Sequence, residues 1–417
     1  MLPLLAVILS GFVVAFAAAA ALTPLVRRLA LHKGWVDKPD GVRKLHPEPI
    51  PAIGGLAVAG GIAIAMGYVF GLQHVLPVSL ELPPAIFWVG AAVLVASGLY
   101  DDVRGLGFKG KFVIQIAVAY ALLHEGYRLD ITPLPFVGDD PFNEALYTIP
   151  LTMIWIVGIT NAVNLIDGVD GLAAGIGFIA FTCLSLVLAI QGEVGLVLVG
   201  VVYAGAFASF LLFNFNPATI FMGDAGSLFL GYSLAVFSLE GRAHTDPVLA
   251  LLIPGIVLGL PVLDTALAIV RRASNRQGIF APDHDHIHHR LVRWGGPRRA
   301  VLRLYAAATG FGTAAVLISL SEPWAAYLIL GAVCLAALAG VSKLPYSPPK
   351  IESVSPKDID ASAAQADAPT GHAADALASS EVPSPTDRAP RDWPGNAPPP
   401  SGDGLPESQV RYRLSYD

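Results

Sequence analysis

Four stretches of this 417-residue chain gather side chains suited to phosphate and to a hard cation. Asp101 and Asp102 stand together in GLYDD, with Lys109 and Lys111 just behind; Asn161, Asn164, Asp167 and Asp170 punctuate NAVNLIDGVDGLA over 161–173. Asp224 sits between glycines in NFNPATIFMGDAGS over 214–227, and His284, His286, His288, His289 and Arg290 crowd PDHDHIHHRL over 282–291. Two adjacent carboxylates on one helix end repel each other, and Mg²⁺ would relieve that repulsion. The bland alternative for the pair is a solvated helix cap. Asn164, Asp167 and Asp170 recur every third residue, so one helical turn presents them on one face. A Gly-rich turn would explain Gly168 and Gly171 but not both asparagines. Oxygen ligands from separate loops suit Mg²⁺, which takes one or two carboxylates and leaves other positions to water and phosphate; Asp224 is the strongest such ligand. The histidines could bind zinc, with His286 and His289 at a usable spacing. No cysteine accompanies them and Arg290 abuts them, which favours anionic oxygen over metal.

These motifs need a scaffold, and the composition says what kind. Hydrophobic residues make up 54% of the chain and charged ones only 14%, against about 25% charged in an ordinary soluble domain. Eleven apolar segments are expected as helices, near 2–25, 52–72, 84–99, 112–123, 147–160, 172–190, 194–213, 228–239, 248–270, 301–320 and 324–341. The fold class is therefore an all-α polytopic membrane protein, a bundle of about eleven transmembrane helices crossing a core roughly 30 Å thick. No basic stretch precedes the first segment, so it reads as a retained helix rather than a cleaved signal. Cys183 and Cys334 lie far apart inside apolar runs and read as packing residues.

Counted from the N-terminus, the first, third and ninth loops hold sixteen Lys and Arg, from Arg27 to Arg299, whereas the even loops hold only Arg128 and Arg242. Such an excess marks the cytoplasmic side. The N-terminus is then external, and the C-terminus and all four chemical motifs are cytoplasmic. Carboxylates clustered on one membrane face of so apolar a chain are costly and point to function. From 342 onward the chain turns to Pro, Ala, Ser and Asp, with thirteen of its thirty-three prolines. Residues 1–341 are read as the membrane-embedded catalytic domain and 342–417 as a disordered cytoplasmic tail without catalytic role.

Together the four stretches, with DKPDGVRKLHPEPIPAIGG over 37–55 as a fifth, resemble the polyprenyl-phosphate N-acetylhexosamine-1-phosphate transferases, the family that includes phospho-N-acetylmuramoyl-pentapeptide transferase. HIHHR resembles the branch that uses UDP-N-acetylglucosamine more than the three-histidine motif of the muramoyl-pentapeptide enzymes, which remain the alternative. The resemblance implies Asp101, Asp102 and Asp167 as catalytic residues, Asp224 and Asn164 at a Mg²⁺ ion (Mn²⁺ as a substitute), and Lys111, Asn161, Asp170, His286, His288, His289 and Arg290 at the substrates. Val169 and Ala225 stand where the family more often has Leu and Ser or Thr. The implied partners are undecaprenyl phosphate, a UDP-N-acetylhexosamine and the lipid bilayer of the bacterial inner membrane. A homodimer is compatible with this reading, and no nucleic acid is expected.

Such a reaction joins a dianionic acceptor to an anionic donor, so its catalyst must chiefly neutralise charge and align atoms. A general base, Asp101 or Asp102, would be a refinement. A secondary transporter should carry internal repeats and midplane polar residues, which are not found, and a non-catalytic scaffold has no use for acidic and basic motifs on one face. The topology is directly testable: a reporter fused after Arg299 should be cytoplasmic and one after Gln191 external. Both reporting the same side would refute the helix count.

Overall fold

The computed structural model describes residues 2–37, 49–75, 80–129, 131, 141–240, 246–278 and 285–344. Among them are thirteen α-helices and one antiparallel two-stranded ribbon. The ribbon pairs β1 (Val36–Asp37) with β2 (Ile50–Pro51), Val36 opposite Pro51. The helices α1 (Leu2–Lys33), α2 (Gly55–Val75), α3 (Ala85–Arg104), α4 (Gly107–His124), α5 (Pro141–Ile166), α6 (Leu172–Gln191), α7 (Val194–Asn214) and α8 (Gly223–Leu239) run end to end through the bundle. They are followed by α9 (Pro247–Val257), α10 (Gly259–Ser274), α11 (Ile287–Gly295), α12 (Pro297–Leu320) and α13 (Pro323–Ser342). Within lipid every backbone N–H and C=O must be paired inside the segment, so apolar runs of this length have little choice but the helix.

The protein is an all-α, multi-span membrane protein, and each of the eleven expected apolar segments is helical. Eight described helices are long and apolar enough to cross a bilayer, or nine if α9 and α10, bent by 85° at their junction, form one broken span. The two remaining segments fall short for visible reasons. α4 carries Lys109, Lys111 and Gln115 in its first half, and α8 has 17 residues with Asp224 in its first turn. The break inside 248–270 is a correction: that segment was expected as one helix. The tail from 345 onward and residues 38–48 of the opening loop lie outside the described residues.

α8 is the centre of the bundle. Every residue from Ala225 to Ser238 is buried, against α3 and α5 chiefly and against α2 and α6 as well. Its polar groups are satisfied across helices: Tyr232 OH donates to Phe87 O at 3.0 Å, and Trp155 Nε1 donates to Ser238 Oγ at 3.2 Å. With no water to compete, such bonds and close backbone packing hold membrane helices together. At the start of α8 the packing is tight enough to require glycine. A Cβ on Gly98 would overlap the backbone of Asp224 and Ala225, and one on Gly55 would overlap that of Ala225 and Gly226.

The loops at each end meet one another. Phe221 N donates to Pro51 O at 2.8 Å, and Gly55 N to Met222 O at 2.8 Å, joining the opening loop to the one before α8. At the opposite end, Glu81, Tyr127, Gln191, Glu240 and Glu322, all from the even connections, line one cavity.

Overpacking a closed core typically costs about 1–3 kcal/mol, and at Gly98 the obstacle is backbone that cannot rotate away. Gly98→Val should therefore lower the thermal midpoint sharply or prevent folding. Gly67→Ala, with open space around the added carbon, should leave it unchanged. Melting curves in detergent check both; a Gly98→Val protein that melts with the wild type would refute this α3–α8 contact.

Candidate active site

The approach of α3 to α8 decides where the two adjacent aspartates go. α3 ends at Arg104, and α4 begins after the two residues Gly105 and Leu106. Gly105 and Gly107 both have φ of 75°, which side-chain-bearing residues rarely adopt. Asp101 secures this turn: its Oδ1 accepts from Leu106 N at 2.5 Å and from Gly107 N at 3.1 Å. The turn in its own right brings Lys111, in the first turns of α4, back to Asp101 Oδ2 at 2.9 Å. Lys111 Nζ also donates to Asp224 Oδ2 at 2.5 Å, so one ammonium bridges carboxylates from two loops.

Asp102 has a different role. Its Oδ1 accepts from Asp224 N at 2.9 Å and its Oδ2 from Ala225 N at 3.0 Å. It caps a helix, as the bland reading held, but the helix is α8 rather than its own. Helix N-termini offer unpaired N–H groups and a partial positive charge that a carboxylate satisfies. Asn164, at the end of α5, donates from Nδ2 to Asp224 Oδ1 at 2.9 Å and to Ser227 Oγ at 2.8 Å. It thus orients Asp224 through its N–H face, whereas the sequence reading made it a metal ligand.

Asp167 follows directly on α5 and is half-buried. Its carboxyl makes no hydrogen bond among the described residues. Burial, then the neighbouring carboxylates of Asp224, Asp102 and Asp170, push its pKa well above the ordinary carboxylate range. Asp101, Asp102, Asp167 and Asp224 thus lie close together, with Lys111 paired to two of them. Hard carboxylate oxygens in excess over fixed positive charge are the donor set of an oxygen-seeking divalent cation.

Two expected substrate contacts are engaged elsewhere. Asn161 Nδ2 donates to Gln115 Oε1 at 2.5 Å and to Val157 O at 2.7 Å, pairing α5 with α4. Asp170 Oδ2 accepts from Asn216 Nδ2 at 3.0 Å and from Ala218 N at 3.0 Å, tying the loop after α5 to the loop before α8. Asn214 adds a buried pin between the same loops, accepting from Gly171 N at 3.1 Å and donating to Ile220 O at 2.9 Å. From outside, Arg298 Nε donates to Asn216 O at 3.0 Å and Arg27 Nε to Thr219 O at 3.1 Å. Gln115, Asn214, Ser227 and Arg298 were not singled out from sequence. Gln115 had a signal, a lone amide one helical turn beyond Lys111 in an otherwise apolar run.

The histidines gather at α11. His286 and His288 are both buried, 3% and 2% exposed, around Asp264 of α10, another residue that sequence reasoning passed over. The ring centroid of His289 lies 4.2 Å from that of His288. Burial, then His288, His286 and Arg293 nearby, lower its pKa to about 3. Arg290 pairs with Asp285, to which Arg293 also pairs at 2.7 Å. Pro282 to His284 of the same motif lie outside the described residues. Among the described residues no three His, Cys, Asp or Glu side chains converge as a ready metal cage. The histidine loop reaches the carboxylates at one point: a Cβ on Gly168, next to Asp167, would sit 3.7 Å from His288 Nε2.

Residues 84–242 match the model of glycosyl transferase family 4, a stretch containing Asp101, Asp102, Lys111, Asn164, Asp167 and Asp224. The chain is 38% identical over 324 residues to the probable undecaprenyl-phosphate N-acetylglucosaminyl 1-phosphate transferase of Bacillus subtilis, covering 78% of this chain and 88% of that protein. It is 37% identical over 341 residues to the decaprenyl-phosphate N-acetylglucosaminephosphotransferase of Mycobacterium tuberculosis, covering 75% and 83%. Identity to the undecaprenyl-phosphate alpha-N-acetylglucosaminyl 1-phosphate transferase of Escherichia coli is 29% over 312 residues, covering 71% and 80%.

Asp167→Asn and Asp102→Ala should shift stability in opposite directions. A carboxyl whose folded-state pKa is raised contributes its full stabilisation below its unfolded value, and that contribution is lost as pH rises through the folded value. At neutral pH an ionised Asp167 therefore works against folding, and Asp167→Asn should raise the thermal midpoint of metal-free protein. Asp102→Ala removes the α8 cap and should lower it, by about 0.5–2 kcal/mol of stability. Melting curves in the presence of a chelator decide; a fall for both variants would refute the assignment of Asp167 as the strained carboxylate.

Proposed function

Because this chain belongs to the family of polyprenyl-phosphate N-acetylglucosaminyl-1-phosphate transferases, we propose that it transfers N-acetylglucosamine-1-phosphate from UDP-N-acetylglucosamine to undecaprenyl phosphate. UMP is released, and the lipid-pyrophosphate-sugar formed starts a cell-envelope glycan. The observation that carries this reading is the bridge from Asp101 through Lys111 to Asp224, beside the unpaired Asp167 at one end of a membrane bundle. A cytosolic nucleotide sugar and a lipid-anchored phosphate can meet at such an end, which supports a site on the cytoplasmic face of the bacterial inner membrane. Burial of a prenyl tail holds the acceptor there at about 0.8 kcal/mol per CH₂.

The acceptor phosphomonoester, with a second pKa of about 6, is largely dianionic at neutral pH. One of its oxygens forms a bond to the sugar-bearing phosphorus of the donor, and the bond from that phosphorus to the bridging oxygen breaks. The electron pair leaves with UMP. Mg²⁺, when held by Asp224 with Asn164 fixing that carboxylate, supplies charge neutralisation at the phosphate oxygens. Lys111 contributes a fixed positive charge beside it, and Arg290 and the histidines meet the donor pyrophosphate. Asp101 and Asp102 already accept hydrogen bonds with both oxygens. Asp167, unpaired and of raised proton affinity, is therefore the carboxylate that takes any residual proton from the acceptor.

Purified protein given undecaprenyl phosphate and UDP-N-acetylglucosamine in detergent should release UMP. Turnover with UDP-N-acetylmuramoyl-pentapeptide and none with UDP-N-acetylglucosamine would overturn the reading. Asp224→Asn should abolish most activity and recover part of it in excess Mg²⁺. Arg290→Ala should lose a factor of about 10² to 10³, the usual consequence of removing one contact to a developing oxyanion, with no rescue by Mg²⁺. Metal titrations of both variants check this, and identical Mg²⁺ dependence would show that the cation is assigned to the wrong loop.

A further inference from the structure

Asp264 lies in the helix after the 85° break and is 3% exposed. A carboxylate so placed is costly unless it is hydrogen-bonded, and both of its oxygens are engaged by the histidine loop. Oδ1 accepts from Ile287 N at 2.7 Å, capping α11. Oδ2 lies 3.3 Å from His288 Nδ1 in hydrogen-bonding geometry. His286 Nδ1 is 3.2 Å from the same oxygen but has no aligned partner, so His288 holds the bond. A carboxylate only accepts; the hydrogen bond therefore requires the proton on Nδ1 of His288. Its other ring nitrogen, Nε2, is buried with no partner and lies 3.7 Å from where a Cβ on Gly168, beside Asp167, would sit.

We propose that Asp264 is a positioning residue, holding His288 with Nδ1 protonated so that Nε2 faces the carboxylate pocket and meets a phosphate oxygen of the donor. This deepens the function proposed above and rests on it. An orienting carboxylate on the far side of the imidazole fixes both ring angle and tautomer, and it stabilises the ring when Nε2 gains a proton and donates to an anionic oxygen. The bend between α9 and α10 is what turns Asp264 toward α11, so the broken helix serves the histidine loop. An ordinary anchoring role for α11 would need only the bond to Ile287 N.

Asp264→Asn separates the two roles. The amide oxygen can still accept from Ile287 N, while the amide NH₂ now faces Nδ1 and reverses the tautomer. In the full-length protein kcat should fall about tenfold or more, because an amide NH₂ facing Nδ1 no longer supports the doubly protonated ring that donates from Nε2, with KM for UDP-N-acetylglucosamine within about threefold. In a His288→Gln background the same substitution should add less than about twofold, because its effect runs through His288. An equal loss in both backgrounds, or an Asp264→Asn enzyme within about twofold of wild type, would overturn the proposal. Nitrogen-15 spectra of histidine-labelled wild-type protein give a measurement independent of how the variants fold. The His288 signals, identified by their loss in His288→Gln, should show a protonated Nδ1, and a bare Nδ1 overturns the proposal. Should wild type release no UMP, the transferase reading fails, while the spectrum still tests the pairing.

Discussion

The start of α8 brings together three demands that a bilayer makes hard to meet at once. A helix that ends inside protein must have its first N–H groups paired, a carboxylate presented there must be compensated, and the approach of two other helices must leave no gap. Asp102 meets the first by accepting from Asp224 N and Ala225 N. Lys111 and Asn164 meet the second by binding the two oxygens of Asp224. Gly55 and Gly98 meet the third, because no larger side chain fits against the α8 backbone. The solutions come from four helices, so α2, α3, α4 and α5 are all set against the first residues of α8, Asp224 to Gly226. The rest of the bundle, including α7 packed between α1 and α6, serves to keep those four in place.

The cluster is negative by design of its neighbours rather than by accident of composition. Lys111 neutralises part of it, and the charges that raise the proton affinity of Asp167 are the carboxylates of Asp224, Asp102 and Asp170.

Sequence patterns revealed what is local. Apolar runs of membrane length located each helical segment, and Asp101, Asp102, Lys111, Asn164, Asp167 and Asp224, singled out from three separate stretches, come together in the fold. What they could not show is which of two adjacent aspartates turns toward a helix 122 residues away, since nothing in GLYDD distinguishes them. Asp264 was lost for a related reason. It sits alone in an apolar run, and its partners lie 23 and 24 residues further on, beyond any helical periodicity. The break before it did have a local signal, Gly255, Gly259 and Pro261 within seven residues, which hydropathy averages away. Asp170 and Asn161 have the residue types of substrate ligands, yet they find partners inside the protein, because buried polar groups take the nearest satisfying geometry.

The cap that Asp102 places on α8 also has a consequence in time. Synthesis proceeds at about 5–20 residues per second, so the 122 residues separating the two partners take roughly six to twenty-four seconds to follow. Throughout that interval Asp102 has no α8 to cap. The catalytic cluster is thus a late event of biogenesis, closed only when the eighth helix enters.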